Sequence, residues 1–151
     1  MDDQIRFVHT NLIARDWKRL ANFYIEVFGC KPVGPERDLS GEWVEKLTEI
    51  KGVKIRGAHL QLPGCENGPT IEIFQYTPEY GGVEPQINRP GFGHIAFHVD
   101  DVTTLLSKFI EHGGERTGQV VQKNHPELGL LTVAYARDPE GNFVEIQNWR
   151  K

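Results

Sequence analysis

The chain has 151 residues, 17 Lys+Arg against 21 Asp+Glu, and a formal net charge of −4. That length suits one compact domain with a real core, and 38% apolar with 25% charged residues excludes a disordered chain. A mildly acidic balance argues against general affinity for nucleic acid or anionic lipid, and no apolar run approaches the roughly 18 residues of a membrane span. The opening Met1-Asp2-Asp3 is acidic with no apolar stretch behind it, so no signal peptide is expected. Two cysteines, Cys30 and Cys65, make no disulfide framework and no C-x-x-C motif. Ordinary free thiols and a cytoplasmic location follow as expectations.

In chain order, a strand-like segment opening at Val8 leads to Asp16 and a helical pattern over Trp17–Phe28. Trp17, Leu20, Ala21, Tyr24 and Phe28 recur at helical spacing and form one apolar stripe. Asp16 is placed to accept the free N–H groups at the helix start, and Gly29 to supply a left-handed stop. Strand-like runs follow at about Lys31–Gly34, Ile55–Leu62 and Thr70–Tyr76, with a further short helix over Gly41–Leu47. The joint Asn88-Arg89-Pro90-Gly91 comes next. The pattern then starts again: a strand over Ile95–Val99, Asp100 or Asp101 as cap, and a helix with Val102, Leu105, Leu106, Phe109 and Ile110 on one face, ended by Gly113-Gly114. Strand-like runs close the chain at Gln119–Gln122, Leu130–Arg137 and Phe143–Asn148, the last two joined by turn chemistry at Asp138–Asn142.

The chain therefore reads as β-α-β-β-β written twice, with 1–88 as the first unit and 91–151 as the second. His9 and His94 are 85 residues apart, and so are Asp16 and Asp101, and Gly29 and Gly114. His9 to Glu72 is 63 residues but His94 to Glu145 only 51, consistent with an insertion in the first unit. Side chains alternate faces along a strand. Ile71 and Ile73 thus oppose Glu72, Val144 and Ile146 oppose Glu145, and His94, Ala96 and His98 share a face. Each unit offers one aliphatic sheet face for its helix, and one His with one Glu on the other. A bare carboxylate on a sheet face is costly unless compensated. Two of them at matching positions, each with a matching His, point to a divalent cation shared by His9, Glu72, His94 and Glu145.

The segments Phe7–Asp16 with the helix ending Phe28-Gly29, Gly91–Asp101 and Arg137–Glu145 resemble the vicinal-oxygen-chelate superfamily. That superfamily includes glyoxalase I, methylmalonyl-CoA epimerase, extradiol dioxygenases and fosfomycin- and bleomycin-resistance proteins. The resemblance implies an α+β fold of two βαβββ units forming a curved eight-stranded mixed sheet, a cup around one metal ion. Carried over by position, the ligands are His9, Glu72, His94 and Glu145. The His/Glu/His/Glu set looks most like bacterial-type glyoxalase I. An epimerase, an extradiol-type dioxygenase and a non-catalytic small-molecule-binding module stay open as alternatives; for the epimerase, Glu49 before Gly52-Val53 is a candidate base. A homodimer is implied by the resemblance, with the cup built within one chain or across two.

The chemistry expected is that of a metal-dependent lyase or isomerase that takes a proton from the carbon beside a chelated carbonyl of a small-molecule substrate, a lactoylglutathione lyase-like reaction. The cation, Ni, Co, Zn, Mn or Fe by its mixed imidazole and carboxylate ligands, acts as a Lewis acid. Glu145 or Glu72 serves as base. His98 and His59 are expected to line the cup and touch substrate. Arg56 or Arg137 is a weaker candidate for an anionic group of the substrate, with surface pairing the simpler expectation. His112 is expected at a helix C-terminus and His125 on the surface.

Overall fold

The computed structural model describes residues 5–151; the acidic opening at Met1-Asp2-Asp3 lies outside the described residues. Two compact units divide between Gly81 and Gly82. The first contains β1 (His9–Ile13), α1 (Trp17–Phe28), β2 (Lys31–Ser40), α2 (Glu42–Thr48), β3 (Lys54–Gln61) and β4 (Thr70–Thr77). The second contains β5 (His94–His98), α3 (Val102–Glu111), β6 (Glu115–His125), β7 (Gly129–Arg137) and β8 (Phe143–Arg150). The class is α+β. The eight strands are hydrogen-bonded as two mixed sheets of four, in the orders β1-β4-β3-β2 and β5-β8-β7-β6. In each, the first strand runs parallel to the last and the remaining pairs are antiparallel. Among the described residues no helix is long and apolar enough to cross a membrane.

The helices form where their sequence patterns place them. Asp16 caps α1, accepting from Arg19 N at 3.1 Å, and Gly29 stops it at φ 71°. The buried stripe is Trp17, Leu20, Ala21, Phe23, Tyr24 and Val27. It lies against β3 and β4, whose helix-side residues Leu60, Ile71 and Ile73 are also fully buried. Each large apolar side chain buried this way contributes roughly 1.5–3 kcal/mol. Asp101 caps α3 through Thr104 N at 2.9 Å, and these hydrogen bonds hold its carboxyl below the usual range. The residue beyond the helix is His112, whose Nδ1 lies 2.8 Å from Lys108 O. Cys30 is buried in the first unit, and burial pushes its thiol up to about 11.

Two strands run longer than the sequence pattern suggests. β2 reaches Ser40 and β6 spans Glu115–His125, each with a register shift, between Val33 and Arg37 and between Thr117 and Val121. Gly34 at φ 68° and Gly118 at φ 66° sit in these shifts. Such glycines read as turns in sequence, whereas here each lets the strand bulge and continue.

In the first unit the sheet face away from α1 has an apolar end. There α2 buries Val44 with Val53, Ile55 and Phe74, and Leu39, Ile50 and Tyr76 pack around them. Gly57 continues this face beside Phe74. A Cβ at Gly57 would stand 1.9 Å from Ile73 O and 2.7 Å from the Phe74 ring. Gly57→Ala should therefore lower stability by about 1–3 kcal/mol in urea denaturation, the cost of forcing atoms into a packed sheet.

Candidate metal centre

Sheet register brings the first cluster together. Glu72 in β4 is the direct antiparallel partner of His59 in β3 and the parallel partner of Asn11 in β1, and His9 pairs with Thr70. All project from the face opposite α1. His59 Nε2 lies 2.8 Å from Glu72 Oε2, and His9 Nε2 lies 3.4 Å from Glu72 Oε1. Asn11 Nδ2 donates to Glu72 Oε1 at 2.9 Å. The imidazoles of His9 and His59 meet edge to face with centroids 5.4 Å apart. The Glu72 side chain is 12% exposed and that of His59 16%, so this carboxylate is compensated by N–H groups rather than by water.

Burial pushes the His59 pKa down, outweighing the attraction of Glu72, and the positive charge on Arg37 and the nearby His9 add to the lowering. The Tyr76 phenol is pushed up by burial and then by the charge on Glu72. Neutral His59 has one ring N–H and one lone pair. Its Nε2 faces an acceptor-only carboxylate and therefore carries the hydrogen. Its Nδ1, 3.2 Å from Thr70 Oγ1, accepts from that hydroxyl. His9 Nδ1 is buried and has no hydrogen-bond partner among the described residues.

The second unit repeats the geometry with fewer donors. His94 Nε2 lies 2.9 Å from Glu145 Oε2. Ala96 occupies the register position of Asn11, and Tyr135 that of His59. Among the described residues neither side chain hydrogen-bonds to Glu145. The Tyr135 ring instead packs edge to face on His94, with centroids 5.1 Å apart. The turn that launches β8 is built on Asp138, which is 3% exposed. Its Oδ1 accepts from Glu140 N at 2.9 Å and Asn142 N at 3.0 Å, and Asn142 Nδ2 reaches both its oxygens.

Of the residues singled out from sequence, the structure pairs His9 with Glu72 and His94 with Glu145, each within its own unit, and adds His59 to the first pair. His98 stays exposed at the end of β5, on the face of His94 but outside its cluster. Arg137 has its guanidinium occupied by Pro85 O at 3.0 Å, Gly141 O at 3.1 Å and the face of Phe143 at 4.2 Å. Arg56 is exposed on β3, and Glu49 is the left-handed cap of α2 at φ 60°. His125 is exposed, its Nδ1 accepting from Glu127 N and Leu128 N.

Donor chemistry fits a divalent cation. In the first unit one nitrogen or oxygen from each of His9, His59 and Glu72 lies within 4.8 Å of the others. Imidazole nitrogen with carboxylate oxygen suits the first-row divalent metals. Sequence reading missed Asn11, Thr70 and Tyr135. Asn11 was legible as two residues from His9 on the same face. Tyr135 was hidden because it stands 10 residues before Glu145, while His59 stands 13 before Glu72.

A model of the Glyoxalase/Bleomycin resistance protein/Dioxygenase superfamily matches residues 6–146. The chain belongs to this superfamily. A lactoylglutathione lyase of Arabidopsis thaliana is 31% identical over 147 residues, covering 95% of this chain and 44% of that protein. The chain thus spans less than half the length of this plant relative. A probable lactoylglutathione lyase of Vibrio parahaemolyticus is 28% identical over 145 residues, covering 95% of this chain and 91% of that one. A glyoxalase family protein from Bacillus cereus superposes over 100% of this chain and 99% of that one, with TM-score 0.83 at 22% identity, a likeness of fold.

Within the superfamily fold, the turn at Asp138–Asn142 aims the strand that carries Glu145. Asp138→Ala would leave the partly buried N–H groups of Glu140 and Asn142 without their acceptor. A stability loss of about 1–3 kcal/mol is expected by denaturant titration, with a smaller loss for Asp138→Asn, which keeps one acceptor oxygen.

Proposed function

We propose that this superfamily member is a metal-dependent lyase or isomerase of the lactoylglutathione lyase type, acting on a small molecule with two neighbouring oxygens. The observation that carries this reading is the repeated contact of one His from the first strand with one Glu from the last, His9 with Glu72 and His94 with Glu145. These four side chains would hold one divalent cation, Ni, Co, Zn, Mn or Fe. When bound, it supplies Lewis acidity that stabilises negative charge developing on a chelated carbonyl oxygen. The resemblance of curated relatives named lactoylglutathione lyase supports the reaction type.

The two carboxylates then divide the work. Asn11 Nδ2 on one oxygen of Glu72 and His59 Nε2 on the other pin its rotamer. Glu145 has one imidazole partner, so it is the carboxylate free to turn and take the proton from the substrate carbon. Returning that proton to the neighbouring carbon completes an isomerisation without a covalent enzyme intermediate. His98, on the face of His94, remains the candidate for contact with the distal part of the substrate.

We also propose a homodimer in a reducing, cytoplasmic setting. Exposed Phe7 and Val8 lead into β1, an edge strand of its sheet, and Ile13 at its end is also exposed. Sedimentation at twice the mass of one chain is expected, and a monomer at micromolar concentration would exclude it.

With metal restored, formation of lactoylglutathione from glutathione and methylglyoxal can be followed by thioester absorbance. Glu145→Gln should lower kcat by roughly 10²–10⁴-fold, the usual worth of a positioned base, with metal retained. Wild-type turnover in that variant would remove Glu145 from the proton transfer.

A further inference from the structure

The two oxygens of Glu72 have separate partners. Oε1 accepts from Asn11 Nδ2 at 2.9 Å and stands 3.4 Å from His9 Nε2. Oε2 faces His59 Nε2 at 2.8 Å. His59 is itself held at its other nitrogen by the Thr70 hydroxyl at 3.2 Å, and its ring meets the edge of Phe74 with centroids 6.2 Å apart. Thr70 and Glu72 lie two residues apart on one strand, so a single face carries the whole relay: Thr70 hydroxyl to His59 Nδ1, and His59 Nε2–H to Glu72 Oε2. Both ring nitrogens of His59 are engaged within the unit.

We infer that His59 is a positioning residue that fixes the Glu72 carboxylate, with Thr70 fixing His59 in turn, so that Oε1 is the oxygen presented beside His9. The inference rests on the reading of Glu72 as a metal ligand. An outer hydrogen bond of this kind sets the orientation of a ligating carboxylate and strengthens its hold on the ion. The device is confined to the first unit. At the matching register position the second unit has Tyr135, which packs on His94 and, among the described residues, makes no hydrogen bond to Glu145. His59, together with Asn11, thus gives Glu72 hydrogen bonds that Glu145 lacks.

The test uses Co²⁺ as probe on the full chain stripped of metal, reading affinity by calorimetry and the ligand field by visible absorption. His59→Leu is expected to weaken Co²⁺ binding about 10–100-fold, with the band positions of the saturated protein unchanged. His59→Gln, whose amide can donate to the same oxygen, should restore most of that loss. Thr70→Val, which preserves shape, should weaken binding by a smaller factor. Wild-type affinity in His59→Leu overturns the inference. So do altered bands in both His59 variants, which would make His59 itself a ligand in a two-imidazole, one-carboxylate set. If His59→Leu does not fold, as judged by its thermal transition, Thr70→Val decides: a smaller loss supports the relay, and wild-type affinity overturns it. Glu72→Ala tests the underlying reading separately. Wild-type Co²⁺ affinity there would show that Glu72 is not a ligand, whatever His59 does.

Discussion

A carboxylate on the face of a β-sheet must be compensated, and most of what distinguishes this chain follows from how it does so twice. Glu72 and Glu145 both sit on the last strand of a four-stranded sheet, on the face opposite the helix. In each unit the parallel neighbour is the first strand, and its histidine comes within reach of the carboxylate. Burial is incomplete, 12% and 18% exposure for the two side chains, so hydrogen bonds must replace much of the lost water. An apolar core on the other face holds the strands in register, and register alone decides which side chains meet the carboxylate.

The same scaffold is filled differently in the two units. Around Glu72 stand Asn11, His59 and His9; at the matching positions around Glu145 stand Ala96, Tyr135 and His94. The first set surrounds its carboxylate with nitrogen donors, and the second leaves one imidazole on it. Helix α2 adds a further difference, covering the apolar end of the first sheet through Val44, Ile55 and Phe74. A repeated backbone with unequal side chains gives the two carboxylates different hydrogen-bond surroundings, which is the basis of the division of labour proposed for them.

Much of this was legible in the sequence because it rests on periodicity. The stripe from Trp17 to Phe28 and the Asp16 and Gly29 caps mark α1 without reference to anything distant. The alternation at Ile71-Glu72-Ile73 and Val144-Glu145-Ile146 assigns faces directly. β2 and β6 were read too short because Gly34 and Gly118 carry turn chemistry, whereas the structure uses them as bulges inside continuing strands. His59 was legible as facing the site but not as a partner of Glu72. That pairing depends on the length of the connection from Gln61 to Thr70, which no local pattern reveals. Thr70 was missed for a related reason: its role appears only once strand register places it beside His59.

The proposal that His9, Glu72, His94 and Glu145 share one metal is tested most directly by elemental analysis of the wild type and of His94→Ala, both purified without chelator. About one divalent metal per chain is expected in the wild type, falling to a small fraction in a folded His94→Ala variant. Full retention of metal by that variant would contradict a site shared with the second unit and point to the His9, His59 and Glu72 group alone. A wild type that takes up no metal even after reconstitution would contradict a metal site altogether.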